Sequence, residues 1–458
     1  MTVAKADNVL NPIEKGAAVT RQELVFGQLA EALMDRCKDG FTLTLSGEDS
    51  QFTRFNRARI RQTGTVSDGS LTLSVMQAER TAAGTVPFVG EFETDWPRLE
   101  ATLTDLQTLV PQLPVDPFVV LPTGSATSRT VNRGATLGVD AIAALLTPVQ
   151  TLDFTGIYAS GLIFRGYADS AGQRHWFEST SHSLDFSLFD AQNRAVKGTV
   201  AGSEWHQGKF LDKITQAKHQ LTLMARPAKT IDRGQYRTYL APTAVAELLA
   251  MFSWGGVGEA DLQQGNSAFN LLRQGKRQLS DKFTLQENFQ QANMPRFNSY
   301  GEVAPPQLPI IQRGQLVNSL VSSRSAKEYQ TPSNYASRGE YLRAPEILPG
   351  SLAADQVLSG LERGLYLSNL HYLNWSDHPN GRVTGMTRYA CFWVEKGEIV
   401  APIENLRFDE SLYHCFGDGL IDLTNFQETI PDIDTYDRRS LGDSCVPGIL
   451  VDNFTYTL

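Results

Sequence analysis

The chain has 458 residues, 41% of them hydrophobic and 20% charged, with a formal net charge of -9 at neutral pH. That length accommodates two or three domains and a sizeable core, and the composition is that of a globular protein. The acidic balance excludes broad electrostatic attraction to nucleic acid.

Cys37, Cys391, Cys415 and Cys445 form no CxxC pair and read as reduced thiols. The first twenty residues lack the apolar core of a secretory signal, and no apolar run approaches the roughly 18 residues a membrane helix needs. A cytoplasmic chain with no membrane segment is expected.

Residues 1–18 read as a loose arm or a lead-in strand. A helix should begin at Thr20, with Glu23 three residues on as a capping box, and carry Phe26, Leu29, Leu33 and Cys37 on one face before Gly40 stops it. Strands are expected at 41–45, 52–62 and 71–75, with Asp68-Gly69 as a hairpin turn between the last two. Arg54, Arg57, Arg59 and Arg61 read as the polar face of a strand, since no aromatic residues interleave them. Trp96, Leu99, Leu103, Leu106 and Val110 mark a second amphipathic helix, which the three prolines of PQLPVDP (111–117) end.

A helix at 137–147 and strands at 152–165 and within 175–189 open a middle segment. His175 and His182 are seven apart and fall on opposite faces of a strand, so they do not make a metal pair. His206 and His219 are isolated surface or hydrogen-bonding residues. YLAPTAVAELLAMFSW (239–254) is a short strand, a proline turn and a helix whose apolar face includes Leu248, Met251 and Phe252. The glycines of SWGGVGEAD (253–261) follow a helix and lack a Gly-Lys-Ser/Thr, so they form a flexible connection and not a phosphate loop. Further on, a helix over 353–363 ends at Gly364. Phe392–Val394 and Ile399–Pro402 form a hairpin around Lys396-Gly397, and 445–458 is a closing strand.

Several phrases, in this order, carry a family resemblance: TRFNRARIRQTG (53–64), GKRQLSDKFTLQENF (275–289), PRFNSYGEVAPP (295–306), LPGSLAADQVLSGLERGLYL (348–367) and VTGMTRYACFWVEKGEIVAPIENLRF (383–408). Over about residues 20–458 the chain resembles the TldD/PmbA family, the "modulator of DNA gyrase" proteins. The resemblance implies an α+β fold: an amino-terminal helix-on-antiparallel-sheet domain (19–112), a middle segment (113–228) and a larger strand-rich carboxy-terminal domain with twisted antiparallel sheets (229–458).

One branch of that family consists of zinc peptidases. A helix at this place carries His-Glu-x-x-x-His, in which the histidines hold the metal and the Glu acts as base. In this chain those positions read Ala246, Glu247 and Met251. Alanine has no donor atom, and a lone thioether suits a hydrolytic zinc site poorly. That branch also takes a cysteine ligand from the carboxy-terminal part, where Cys445 stands, but a thiolate without the histidine pair cannot build a three-ligand site. Any other metal site would have to be assembled from His371, His378, His414 and Cys415, and His414-Cys415 on a strand would point apart. Glu247, with no metal-bound water to deprotonate, reads as a helix-surface or hydrogen-bonding carboxylate.

Members without the motif resemble the TldE/PmbA-type subunit, which pairs with a zinc-carrying TldD-type chain to cleave unfolded or short peptides in a closed chamber. The resemblance thus implies a non-catalytic subunit with no cofactor of its own and no nucleic-acid or membrane partner. Thr384, Arg388 and Trp393 are candidates to line its peptide groove. Two other readings stand beside it: a self-sufficient metallopeptidase with a divergent metal site, and a homodimeric peptide-binding or regulatory protein.

Overall fold

The computed structural model describes residues 18–457, so the expected arm or lead-in strand at 1–18 lies almost wholly outside them. Helix α1 (Arg21–Arg36) starts where Thr20 Oγ1 accepts the Glu23 amide at 3.4 Å. The reciprocal half of the capping box does not form, because the Glu23 carboxylate turns to Arg129, 2.7 Å away. Val25, Leu29 and Leu33 bury the helix face on the sheet beneath, with Leu99, Leu103 and Leu106 of α2 (Phe92–Leu109) beside them.

That sheet begins with an unusually long hairpin, β1 (Gly40–Asn56) and β2 (Arg59–Gln77). Its turn is Arg57–Ala58, both left-handed at φ 49° and 51°. A second left-handed pair, Ala78–Glu79, leads into β3 (Arg80–Pro87). The expected turn at Asp68-Gly69 is therefore corrected: these residues lie inside β2, opposite Glu48 and Gly47. Gly69 is there for space, since a Cβ would stand 2.9 Å from the Phe88 ring.

The middle segment contributes β4 (Thr127–Asn132), α3 (Val139–Ala144), β5 (Asp153–Asp169), β6 (Arg174–Phe189), β7 (Ala195–Gly202) and α4 (Gln207–Met224). It is not separate from what precedes it. β5 pairs with β1 from Thr42–Asp169 to Phe55–Gly156, giving one seven-stranded sheet in the order β3-β2-β1-β5-β6-β4, with β7 added on β6. The division expected at residue 112 thus falls within one structural layer.

The carboxy-terminal part opens with β8 (Gly234–Leu240) and α5 (Pro242–Ser253). Strands β9 (Leu285–Asn288), β10 (Gln307–Gln312), β11 (Gln315–Leu316), β12 (Pro345–Ile347), β20 (Glu428–Pro431) and β21 (Asp443–Val446) make a six-stranded sheet. A nine-stranded sheet joins β8 to β13 (Arg363–Leu367), β14 (Asn369–Asp377), β15 (Arg382–Arg388), β16 (Phe392–Glu395), β17 (Glu398–Pro402), β18 (Arg407–Ser411), β19 (Leu420–Leu423) and β22 (Ile449–Tyr456). The pairing is mostly antiparallel and the class is α+β.

The hairpin around Lys396-Gly397 forms as expected. The helix expected at 353–363 is shorter, Val357–Leu361, and Gly364 belongs to β13. The closing strand is split: Cys445 and Val446 end the six-stranded sheet and β22 joins the other. Between β20 and β21 the chain reaches back to the seven-stranded sheet. There Arg438 meets Asp68 at 2.7 Å, and buried Arg439 donates to Ser181 Oγ at 2.8 Å and to the Gly161 carbonyl at 3.2 Å. No helix among the described residues is long and apolar enough to cross a membrane.

Candidate functional site

Pro242 sits at the first turn of α5, where its missing N–H costs nothing and its fixed φ suits a helix. Leu248, Leu249, Met251 and Phe252 turn into the carboxy-terminal core, where the Phe252 ring lies 4.6 Å from that of Phe269. The opposite face, Thr243, Ala246, Glu247 and Ala250, forms one wall of a cavity of about 1050 Å3. The other walls come from β7 and α4 of the amino-terminal sheet, the β13–β14 corner, Arg388–Tyr389, and β20–β21. The cavity therefore lies between the two halves of the molecule.

Glu247 is the carboxyl on the α5 wall, and its Oε2 accepts the Leu370 amide at 2.5 Å. Burial pushes its carboxyl up to about 7, against the Leu370 hydrogen bond and the more distant charges of Lys197 and Arg388. Arg388 Nη1 lies 2.6 Å from His371 Nε2. Burial and the Arg388 charge both lower the His371 imidazole, so the neutral ring accepts the guanidinium N–H. Beside them Tyr389 holds a left-handed backbone, φ 64°, and its ring faces Arg388 at 4.8 Å and Lys197 at 5.9 Å.

Of the three positions aligned with a metal motif, the structure puts Ala246 and Glu247 on the cavity wall and Met251 in the core. Among the described residues no three His, Cys, Asp or Glu side chains stand together as a metal site would require. An alanine methyl, a core thioether and one carboxylate do not fit a zinc ion.

His371 lines the cavity, and the remaining candidates are elsewhere. His378 packs on Trp375 and bonds the Gly255 carbonyl at 2.9 Å. His414 and Cys415 lie on a helical turn, His414–Asp418, and not on the expected strand. Burial opposes protonation of His414, but the Asp452 carbonyl, Glu410 and Asp418 outweigh it and raise its pKa. The Cys445 thiol is pushed up to about 11, first by burial and then by Glu346 and Asp443.

Among the groove candidates, Arg388 lines the cavity. Thr384 donates to the Phe408 carbonyl within the sheet at 3.0 Å, and Trp393 is buried with its indole N–H on Glu395 at 2.7 Å. His219 reaches the cavity from α4. His175 and His182 are buried on separate partners, Ser128 for the first and the Tyr158 and Trp205 rings for the second. Lys197, Asn369, Tyr389 and Asp443 also line the cavity and carry no local sequence signal. The left-handed turn at Tyr389, which aims its ring and Arg388 inward, is set by tertiary packing.

The family model for the PmbA/TldA metallopeptidase C-terminal domain matches residues 233–458. Residues 233–458 are thus of the PmbA/TldD type. The matched region starts one residue before β8 and contains α5 and its cavity face.

The fold of the chain is similar to that of TldE from Thermococcus kodakarensis, with a TM-score of 0.75 at 13% identity, covering 95% of this chain and 100% of the other. A Thermotoga maritima protein named for modulation of a DNA gyrase gives 0.73 at 14% identity, with 95% and 100% covered. A Bacteroides thetaiotaomicron protein of similar name gives 0.75 at 16%, with 94% and 98% covered. No curated protein matches the chain in sequence.

Proposed function

We propose that this chain is a TldE-like, metal-free subunit of a two-chain peptidase. It would hold an unfolded peptide while a partner carrying His-Glu-x-x-x-His supplies the zinc and the hydrolysis. One observation carries the reading. The helix that would bear the metal motif faces a cavity of about 1050 Å3, large enough for several peptide residues, and presents a carboxyl there but no imidazole. The similarity to TldE supports the architecture this reading needs. Exposed backbone at sheet edges would pair with an extended peptide without regard to its sequence.

The test is purification of the tagged chain from its own host, followed by mass spectrometry and peptidase assay of what is recovered. A stoichiometric partner with His-Glu-x-x-x-His, whose chelator-sensitive activity needs both chains, is the expected result. Recovery of this chain alone, with peptidase activity of its own, would overturn the reading.

A further inference from the structure

We propose that Arg388, held by His371 and Tyr389, is a carboxylate-binding subsite of this cavity and takes the free carboxy-terminal carboxylate of a peptide. The proposal rests on the cavity being the peptide site.

The first ground is charge. Four cationic side chains line the cavity, Lys197, Lys213, Arg343 and Arg388. Three are accounted for: Lys197 pairs with Asp185 at 3.2 Å, Lys213 pairs with Glu428 at 3.1 Å, and Arg343 donates to the carbonyls of Pro295, Arg296 and Phe297. Among the described residues no carboxylate lies within 4.0 Å of Arg388. A partly buried guanidinium without a counter-ion is a standing demand for an anion.

The second ground is orientation. Arg388 ends β15, and the next residue, Tyr389, leaves the sheet at φ 64°. A non-glycine residue in that region costs on the order of 1 kcal/mol and persists only where its surroundings impose it. Here it sets the Arg388 and Tyr389 side chains side by side on the cavity wall. His371 fixes one Nη1 without neutralising the charge, and the Tyr389 ring supports the guanidinium plane at 4.8 Å. The remaining N–H groups form the planar fork that matches a carboxylate.

Glu247 shares the cavity wall but makes no ion pair with Arg388, their charged atoms standing more than 4.0 Å apart, and its Oε2 accepts the Leu370 amide. Burial favours its neutral form, so it opposes an incoming carboxylate only weakly.

The test is fluorescence anisotropy of a labelled unstructured pentapeptide as free acid, as carboxy-terminal amide, and as an amide with an internal Asp. Each is titrated with the full chain. The free acid should bind wild type about ten- to a hundredfold tighter than the plain amide, the range of one charge-assisted fork. Arg388→Met should remove that difference, and Arg388→Lys should keep part of it. The wild-type comparison needs no variant and so does not depend on any variant folding.

If the amide with internal Asp binds as tightly as the free acid, the subsite reads any carboxylate and the carboxy-terminal assignment is overturned. Ala250→Trp, which fills the cavity, separates the two failures. If it abolishes binding while acid and amide bind wild type equally, the subsite is wrong and the cavity reading stands. If it leaves binding unchanged, or no peptide binds wild type at all, both are wrong.

Discussion

Replacing Glu247 with Gln should stabilise the protein, and only above a certain pH. The carboxyl has an ordinary value of 4.5 and is raised to about 7 in the fold, mainly by burial. Between those values the folded state keeps a proton that the unfolded state has lost. Stability from this group is therefore fully present below the unfolded value, falls as pH rises toward about 7, and levels off above it. At 1.36 kcal/mol per tenfold the full difference is about 3 kcal/mol, and water in the cavity reduces it to about 2 kcal/mol.

Gln removes the titration and retains an oxygen to accept the Leu370 amide, bonded at 2.5 Å in the wild type. The assay is urea unfolding of both proteins from about pH 5 to about pH 8, with slopes compared to confirm the same transition. Asp443, raised to about 6, and Glu287, also raised, titrate in both proteins and cancel in the difference. The variant should match wild type near pH 5 and exceed it by about 2 kcal/mol near pH 8. A difference that is flat with pH, or one that moves in favour of wild type, would refute the reasoning. It would mean that Arg388 and Lys197 hold the carboxylate ionised in spite of burial.

Other changes probe the frame around the site. Gly69→Ala should lower stability by about 1–3 kcal/mol in thermal melts, because the new methyl meets the Phe88 ring at 2.9 Å and the Phe88 carbonyl at 3.1 Å; no loss would show that Phe88 can yield. Asp95→Ala should cost about 3 kcal/mol by urea unfolding, since that buried carboxylate accepts the amides of Val89, Gly90 and Glu91 ahead of α2. Phe252→Ala should cost about 3–5 kcal/mol, because the ring is fully buried between Phe269, Phe283 and Phe416. Arg439→Met should free the segment between β20 and β21, seen as faster tryptic cleavage at Arg438, because the Ser181 and Gly161 carbonyls lose their donor.

Where a single local rule decides the structure, the sequence was readable. Thr20 and the three- and four-residue apolar steps define α1, and Lys396-Gly397 sets its hairpin. Where distant segments decide, it was not. β1 pairs with β5 at a separation of more than a hundred residues, so the unity of the amino-terminal sheet has no trace in local periodicity. Asp68-Gly69 has the composition of a turn, yet its glycine answers to Phe88 across the layer. At the site, the apolar face of α5 already included Met251, and Arg388 was one of three groove candidates, of which Thr384 and Trp393 serve the sheet instead. Lys197 and Tyr389 reach the cavity through a different sheet and through a left-handed turn, neither of which composition signals.

Glu247 has a structural role on the cavity wall that needs no metal. Its carboxyl takes the amide of Leu370 in β14, the edge strand of the nine-stranded sheet, and so ties α5 to that edge. Leu370 is followed by His371, which holds Arg388. The carboxyl, one peptide unit, the imidazole and the guanidinium thus form a continuous line along the cavity wall. Glu247→Ala would break it at the first link, leaving an edge amide without its acceptor and α5 free to shift against β14. Glu247→Gln would keep the link and change only the charge. The two substitutions should therefore differ in the position of Arg388, read as free-acid peptide affinity, even where both keep the fold. Equal affinities for the two would separate Glu247 from the Arg388 subsite.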